Sequence, residues 1–225
     1  MMPLWSRGIG LGLVALLAVP FASHARPAPE QGKNASQIVA DSETAMKDVK
    51  SFEVVGTTGA KATASSFSLS LSPTGGGGEI SVPGATLEIV VAAGTVYVKA
   101  NEASWLKLTG SESTAQTVAD HWIKAPASNS AFSDFADLTI STDFVTEFFP
   151  SAGAHMSTVG TITVHSKKTI ELNDPEGDGL YVAALGRPYM LYVQGKNLKD
   201  LLTFSHFGDA PLPAVPKGAV GLPAT

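Results

Sequence analysis

Phe67-Ser68-Leu69-Ser70-Leu71-Ser72 alternates apolar and small polar residues without a fault. That period of two is the signature of a half-buried β-strand, whose successive side chains point to opposite faces. The chain after it continues in kind. Gly75–Gly78 is a run of four glycines and reads as a turn with almost no conformational restriction. Ile80 and Val82 alternate again, Pro83-Gly84 signals a turn, and Leu87-Glu88-Ile89-Val90-Val91 is the return strand. Ala93-Gly94 turns into Thr95-Val96-Tyr97-Val98-Lys99, and a short loop, Asn101–Ala103, leads to a further strand, Trp105-Leu106-Lys107-Leu108. Strands at a spacing of roughly 8–12 residues with turns between them spell an antiparallel meander.

Outward from the meander, Ser36 to Lys50 reads as a helix with Ser36 as its cap. Its apolar residues Ile38, Val39, Ala45, Met46 and Val49 fall near one face. Phe52–Gly56 is a strand. Downstream the character changes. Ser113 to His121 reads as a short helix capped by Ser113, and five of the ten phenylalanines fall between 132 and 149. Asp143 is placed to cap a helix of about two turns that Pro150 ends. Strands resume at Thr158–Val164, Lys168–Leu172, Leu180–Ala184, Tyr189–Gln194 and Leu201–Phe207. Residues 211–225 hold four prolines and read as an extended tail. Strands, a helical insertion, then strands again, with one helix in front, make an α+β chain with a single large antiparallel sheet.

Residues 1–25 read as a secretory signal. Arg7 and the amino terminus supply the positive start, and Ile9 to Phe21 supply an apolar stretch short of the roughly 20 residues that span a bilayer. Ser23-His24-Ala25 has the small-x-small form cut by signal peptidase, which places cleavage after Ala25. An uncleaved anchor is the rival reading; Pro20 and the small residues around it break the apolar run. Residues 26–35 form a flexible leader, 36–210 one folded unit and 211–225 the tail. The product is expected outside the cytoplasmic membrane.

Composition narrows the function. The net charge is -5, so nothing provides the basic footprint of a nucleic-acid binder. There is no cysteine, which excludes disulfides, a thiol nucleophile and thiolate metal sites. Apolar residues at 44% are ample for a core. No G-x-S-x-G elbow occurs. His121, His155, His165 and His206 are dispersed, without the i,i+4 spacing of a helical zinc site. Asp174-x-Glu176-x-Asp178-Gly179 resembles the start of a calcium loop but has Leu185 where the distal glutamate belongs. It reads as a hairpin turn. No catalytic residue, metal or cofactor is expected, and no enzyme.

The ordered set of elements resembles the LolA/LolB/LppX group of bacterial envelope carriers, nearest to the LppX/LprG type. It comprises a leading helix, Gly94-Thr95-Val96-Tyr97-Val98-Lys99, Trp105-Leu106-Lys107-Leu108 and a helical insertion. Lys168-Thr169-Ile170-Glu171-Leu172, Leu180-Tyr181-Val182-Ala183, Gly186-Arg187-Pro188-Tyr189 and Leu202-Thr203-Phe204-Ser205-His206-Phe207-Gly208 complete it. The likeness spans roughly residues 36–216. It implies a strongly curved antiparallel sheet, a half-barrel whose concave side is closed by helices, with acyl chains held between. Many relatives of that type carry a lipidated cysteine; this chain has none, so it is expected not to be anchored through one.

The resemblance and the residues agree on a non-enzymatic carrier of lipid or another amphiphile in the envelope. It would be a monomer making transient contact with a membrane surface or an acceptor protein. An apolar strand face serves as a wall for acyl chains because the sheet satisfies its own backbone. The ligand-binding candidates are Phe67, Leu69, Leu71, Ile80, Val82, Leu87, Ile89 and Val91, with Trp105, Phe144 and Phe148 at the lid or mouth. The same alternation equally packs a filled core. In that case the chain is a secreted binding or regulatory module acting on a protein partner.

Overall fold

The computed structural model describes residues 30–59, 64–130, 132–153, 155–196 and 201–221. The expected signal segment and the leader up to residue 29 lie outside the described residues. So do the side chains of Thr58 and of helix residues 148–153.

The leading helix, α1 (Ala35–Asp48), starts one residue before the position expected. Asn34, not Ser36, caps it. The Asn34 side chain accepts from the Gln37 backbone N–H at 3.0 Å, and the Gln37 side chain accepts from the Asn34 N–H at 3.0 Å. This reciprocal pair outcompetes a lone serine because it satisfies two orphan donors at once. Ile38, Val39, Ala45 and Met46 are buried along the helix, and Val49 just beyond it. Asn34→Ala is expected to cost about 1 kcal/mol, seen as a lower urea midpoint at unchanged slope.

The first meander is β1 (Phe52–Thr58), β2 (Ser65–Ser72), β3 (Gly75–Val82), β4 (Ala85–Ala92) and β5 (Thr95–Ala100). The turns at Pro83-Gly84 and Ala93-Gly94 fall where the sequence puts them. The four glycines do not. The turn is Pro73-Thr74, and Gly75–Gly78 are the first half of β3, paired with β2 on one side and β4 on the other. A second correction concerns Trp105-Leu106-Lys107-Leu108, which is helical within α2 (Glu102–Thr109). Asn101 caps it, accepting from the Ser104 N–H at 2.8 Å, and Gly110 closes it in the left-handed conformation. Caps at both ends outweigh four residues of apparent alternation.

Next comes α3 (Glu112–Val118), capped by Ser111 where Ser113 was expected. A short strand that the sequence reading lacks, β6 (Ile123–Pro126), pairs with β5. The aromatic stretch folds into α4 (Ser133–Thr139) and α5 (Ser141–Gly153). Asp143 lies inside the first turn of α5, and the helix runs past Pro150 rather than ending there. The second meander is β7 (Ser157–Val164), β8 (Lys167–Asn173), β9 (Gly179–Ala183), β10 (Met190–Gln194) and β11 (Leu201–Ser205). The tail is not wholly extended without partners. Its β12 (Val220–Gly221) lies parallel to β6, with the Val220 N–H donating to the Trp122 carbonyl at 3.0 Å.

The twelve strands among the described residues form one sheet, ordered β12-β6-β5-β4-β3-β2-β1-β11-β10-β9-β8-β7. It is antiparallel except at the β12–β6 pair. The meanders join through β1 and β11, where Val54 faces Phe204. Strands β12 and β7 are the two ends of an open sheet, and the architecture is α+β with five helices among the described residues.

Two apolar clusters fill the space between sheet and helices. One gathers α1, β1, β2, α5 and β8–β11 around Phe52, Leu69, Leu71, Leu180 and Phe204. The other gathers β4, β5, α2, α3, β6 and α4 around Ile89, Val98, Trp105 and Ile123. Ile80 of β3 packs against both. The boundary follows β3, because its first half carries no side chains.

Candidate functional site: the helix-covered sheet face and its clefts

Strand register decides which candidate residues share a face. Leu69 pairs with Gly78, Gly78 with Ile89, Ile89 with Val98 and Val98 with Ile123. The neighbouring rows are Leu71–Gly76–Val91–Val96 and Phe67–Ile80–Leu87–Ala100. Val82 lies two residues beyond Ile80. The eight strand candidates, Phe67, Leu69, Leu71, Ile80, Val82, Leu87, Ile89 and Val91, therefore stand on one face. Ser68, Glu79, Glu88 and Lys99 form a row on the other.

Helices cover the candidate face. α4 packs over β2, β3 and β4, and α5 over β2. Leu69, Leu71, Leu87, Ile89 and Val91 are buried beneath them, while Phe67, Ile80 and Val82 are half-buried. The elbow between α4 and α5 comes down onto the glycine strand. Ile140 forms a parallel bridge with Ser72, and a Cβ on Gly76 would lie 2.8 Å from the Thr139 carbonyl oxygen. Thr139 and Ser141 are fully buried at this elbow. The Thr139 hydroxyl donates to the Phe135 carbonyl at 2.9 Å. The Ser141 hydroxyl has no hydrogen-bond partner among the described residues.

The lid candidates are placed differently from one another. Trp105 is 1% exposed inside the β4–β6 cluster, its indole N–H without a partner among the described residues. Phe144 on α5 packs against Phe52 and Phe204, with ring centroids 6.2 and 6.3 Å away. The Phe148 side chain lies outside the described residues.

Clefts among the described residues adjoin the sheet and its helices. One of about 510 Å³ lies between α4 and α5 and is lined by Asp134, Asp137, Leu138, Phe144 and Glu147. A second, about 300 Å³, lies where the Glu30–Lys33 turn meets Ile38, Ile170 and Ala184, with Thr158, Thr161 and Lys168 at its rim. A third, about 520 Å³, lies on the opposite face, where Pro213 and Ala214 of the tail cross Ser68, Glu79, Glu88 and Val90. Phe144, Ile38, Ile170 and Ala184 all belong to the first apolar cluster, so the first two clefts open onto the same core.

The second cleft involves residues that sequence reading did not single out. Glu30 is 2% exposed. Burial pushes its carboxyl above the usual range, although Lys33 beside it pulls the other way. Lys33 bonds both Glu30 and Asp41. No local pattern marks these residues, because the turn before α1 meets β7–β9 only once the sheet has assembled.

Other chemistry-bearing groups are engaged structurally. The Asp174 carboxylate accepts from the Gly177 and Asp178 N–H groups at 2.7 and 2.8 Å, the work of a turn. Glu53, Ser205 and His206 come together on the sheet surface, but Glu53 Oε2 and Ser205 Oγ both lie at His206 Nδ1, at 2.8 and 3.1 Å. A serine nucleophile and its orienting acid need opposite nitrogens of the imidazole. Among the described residues no cluster of three His, Asp or Glu side chains is placed to hold a metal ion. No described helix is long and apolar enough to cross a membrane.

No family model and no curated protein matches the chain. Solved structures do. LprF from Mycobacterium bovis superposes with a TM-score of 0.53 at 18% identity, covering 86% of this chain and 99% of LprF. An uncharacterized conserved protein from Thermus thermophilus gives 0.38 at 12% identity, covering 83% of this chain and 97% of that one. The MucA/MucB complex of Pseudomonas aeruginosa gives 0.36 at 14% identity, covering 82% of this chain and 59% of that one. The likeness to LprF is one of fold.

Proposed function

We propose that this chain is a non-enzymatic carrier that holds the apolar part of a lipid or other amphiphile against the inner face of its sheet. It works in the bacterial cell envelope after export directed by residues 1–25, with residues 36–210 as the carrier unit. One observation supports the reading most: eight regularly spaced apolar residues on β2, β3 and β4 share one face, under helices rather than under a second sheet. The fold likeness to LprF is consistent with it.

Phe67, Leu69, Leu71, Ile80, Val82, Leu87, Ile89 and Val91 form the wall in this reading, and Phe144 and Phe148 belong to the cover. Each CH₂ taken from water gains about 0.8 kcal/mol. An acyl chain of about 16 carbons therefore offers on the order of 10 kcal/mol to offset displacement of the cover. Such displacement is required, because five of the eight wall residues are buried by α4, α5 and their neighbours. The glycine strand beneath the elbow provides the place for the chain. With the elbow lifted, β3 presents bare backbone between Leu69 and Leu71 on one side and Ile89 and Val91 on the other.

That same burial favours a second reading. A fully packed inner face is what a filled-core module acting on a protein partner would have.

Native extraction separates the two. The full chain, expressed with its own signal in an actinobacterial host and purified without detergent, is extracted with organic solvent and analysed by mass spectrometry. A stoichiometric amphiphile absent from a filled-core control protein is the result expected of a carrier. Extracts indistinguishable from the control would transfer the function to the protein surface.

A further inference from the structure

We propose that the cleft beside Lys168 is a head-group site for an anionic group, a phosphate or carboxylate, carried by the amphiphile. The inference rests on the carrier reading and adds the polarity and location of the ligand's polar end.

The first apolar cluster reaches solvent at two clefts of opposite character. Between α4 and α5 the rim is Asp134, Asp137 and Glu147, three carboxylates that repel an anion. At the other cleft the floor is apolar, Ile38, Ile170 and Ala184, and the rim is Thr158, Thr161 and Lys168. Register explains the arrangement. Ile170 and Lys168 lie two apart on β8, opposite Thr161 and Thr163 of β7. Near the β7 edge the inner face thus passes from buried leucine and isoleucine to hydroxyl and ammonium groups.

The ammonium of Lys168, not the net charge of the cleft, argues for an anion. Lys33 is shared by two carboxylates, Glu30 and Asp41, so the Glu30–Lys33 roof supplies no free cation and Lys168 is left to meet a ligand. The Lys168 ammonium and the Thr158 and Thr161 hydroxyls have no partner among the described residues. All three line the same cleft as the apolar floor. Charge-assisted hydrogen bonds to phosphate or carboxylate oxygens are the strong class of such contacts. A cleft of about 300 Å³ accommodates a compact head group, leaving the chain to follow the apolar face.

The test uses the full exported chain and two pyrene-labelled lipids with identical acyl chains, phosphatidylglycerol and the uncharged diacylglycerol. Each is offered from phosphatidylcholine vesicles, and uptake is read as loss of pyrene excimer emission. In a separate arm, inorganic phosphate binding is measured by calorimetry. The expected result is about tenfold tighter uptake of phosphatidylglycerol. Lys168→Gln should abolish that preference with diacylglycerol uptake and circular dichroism unchanged, and Lys168→Arg should retain it. Binding of inorganic phosphate that depends on Lys168, without a lipid preference, would support the anion site and name the free ion as its source. Equal uptake of both lipids with no phosphate binding overturns the proposal and leaves the carrier standing. Uptake of neither lipid overturns the carrier, and the phosphate arm then decides the anion site alone.

Discussion

Gly78→Ala is expected to destabilise the protein by about 3 kcal/mol or more. Gly78 has φ 150°, a backbone conformation that L side chains rarely adopt. Its neighbours Gly75 and Gly77 are similar, at 137° and 157°. In this conformation an added Cβ does not stand off the face of the sheet. It points sideways into β2, against the Ser68 carbonyl and 3.1 Å from the Leu69 Cα. Both atoms belong to backbone that is itself paired on its far side to β1, so neither yields cheaply. Either β3 rotates toward ordinary extended geometry and loses its pairing, or β2 shifts and disturbs the row Val54–Leu69. Urea denaturation followed by circular dichroism reads the loss. Gly84→Ala is the control. Gly84 also has positive φ, 78°, but the nearest atom to its Cβ is a flexible lysine end at 3.9 Å. Its cost should stay near 1 kcal/mol. Equal losses at the two positions would show that backbone conformation alone, and not the close approach of strands, makes β3 a glycine strand.

The glycine strand also marks where sequence reading stops. Alternation identifies β2, β4 and β5 because each strand states its own period: Leu69, Leu71; Leu87, Ile89, Val91; Val96, Val98. Gly75–Gly78 has no side chains to alternate, so local chemistry says turn. Its strand character comes from partners on both sides, a property of the sheet and not of the segment. Trp105–Leu108 fails for the opposite reason. Its local pattern resembles a strand, but Asn101 and Gly110, outside the pattern, cap it as a helix. β6 and β12 are four and two residues long, too short for any period to show. The candidate wall was readable because it consists of those alternating strands. The Lys168 cleft was not, since Lys33 and Lys168 are brought together only when β1 pairs with β11 and carries the second meander beneath α1.

Phe204→Ala is expected to cost about 3–5 kcal/mol, the range for removing a phenyl ring from a packed core. Phe204 is 0% exposed and stands opposite Val54 in the β1–β11 pair that joins the two meanders. Its ring lies 6.0 Å from Phe52 and 6.3 Å from Phe144, so one substitution removes contacts to a central strand and to the α5 cover together. Phe144→Ala removes only the contribution of the cover. Phe144 retains 8% exposure at the edge of the α4–α5 cleft, where solvent relieves part of the cavity left behind. Its cost should fall at the low end of the same range. The two variants should also differ in which amides exchange. Phe204→Ala lowers protection throughout β1, β10 and β11, whereas Phe144→Ala lowers it first in α5 and leaves the β1–β11 pair protected. Hydrogen exchange with peptide-level readout distinguishes these patterns. If Phe144→Ala exposes β1 and β11 as readily as α5, the cover and the sheet unfold as one unit. A carrier whose helices must lift while its sheet persists would then be excluded. Selective release of α5 supplies the motion that uptake of an acyl chain requires, because the strands holding Leu69 and Leu71 remain paired while the helix above them moves.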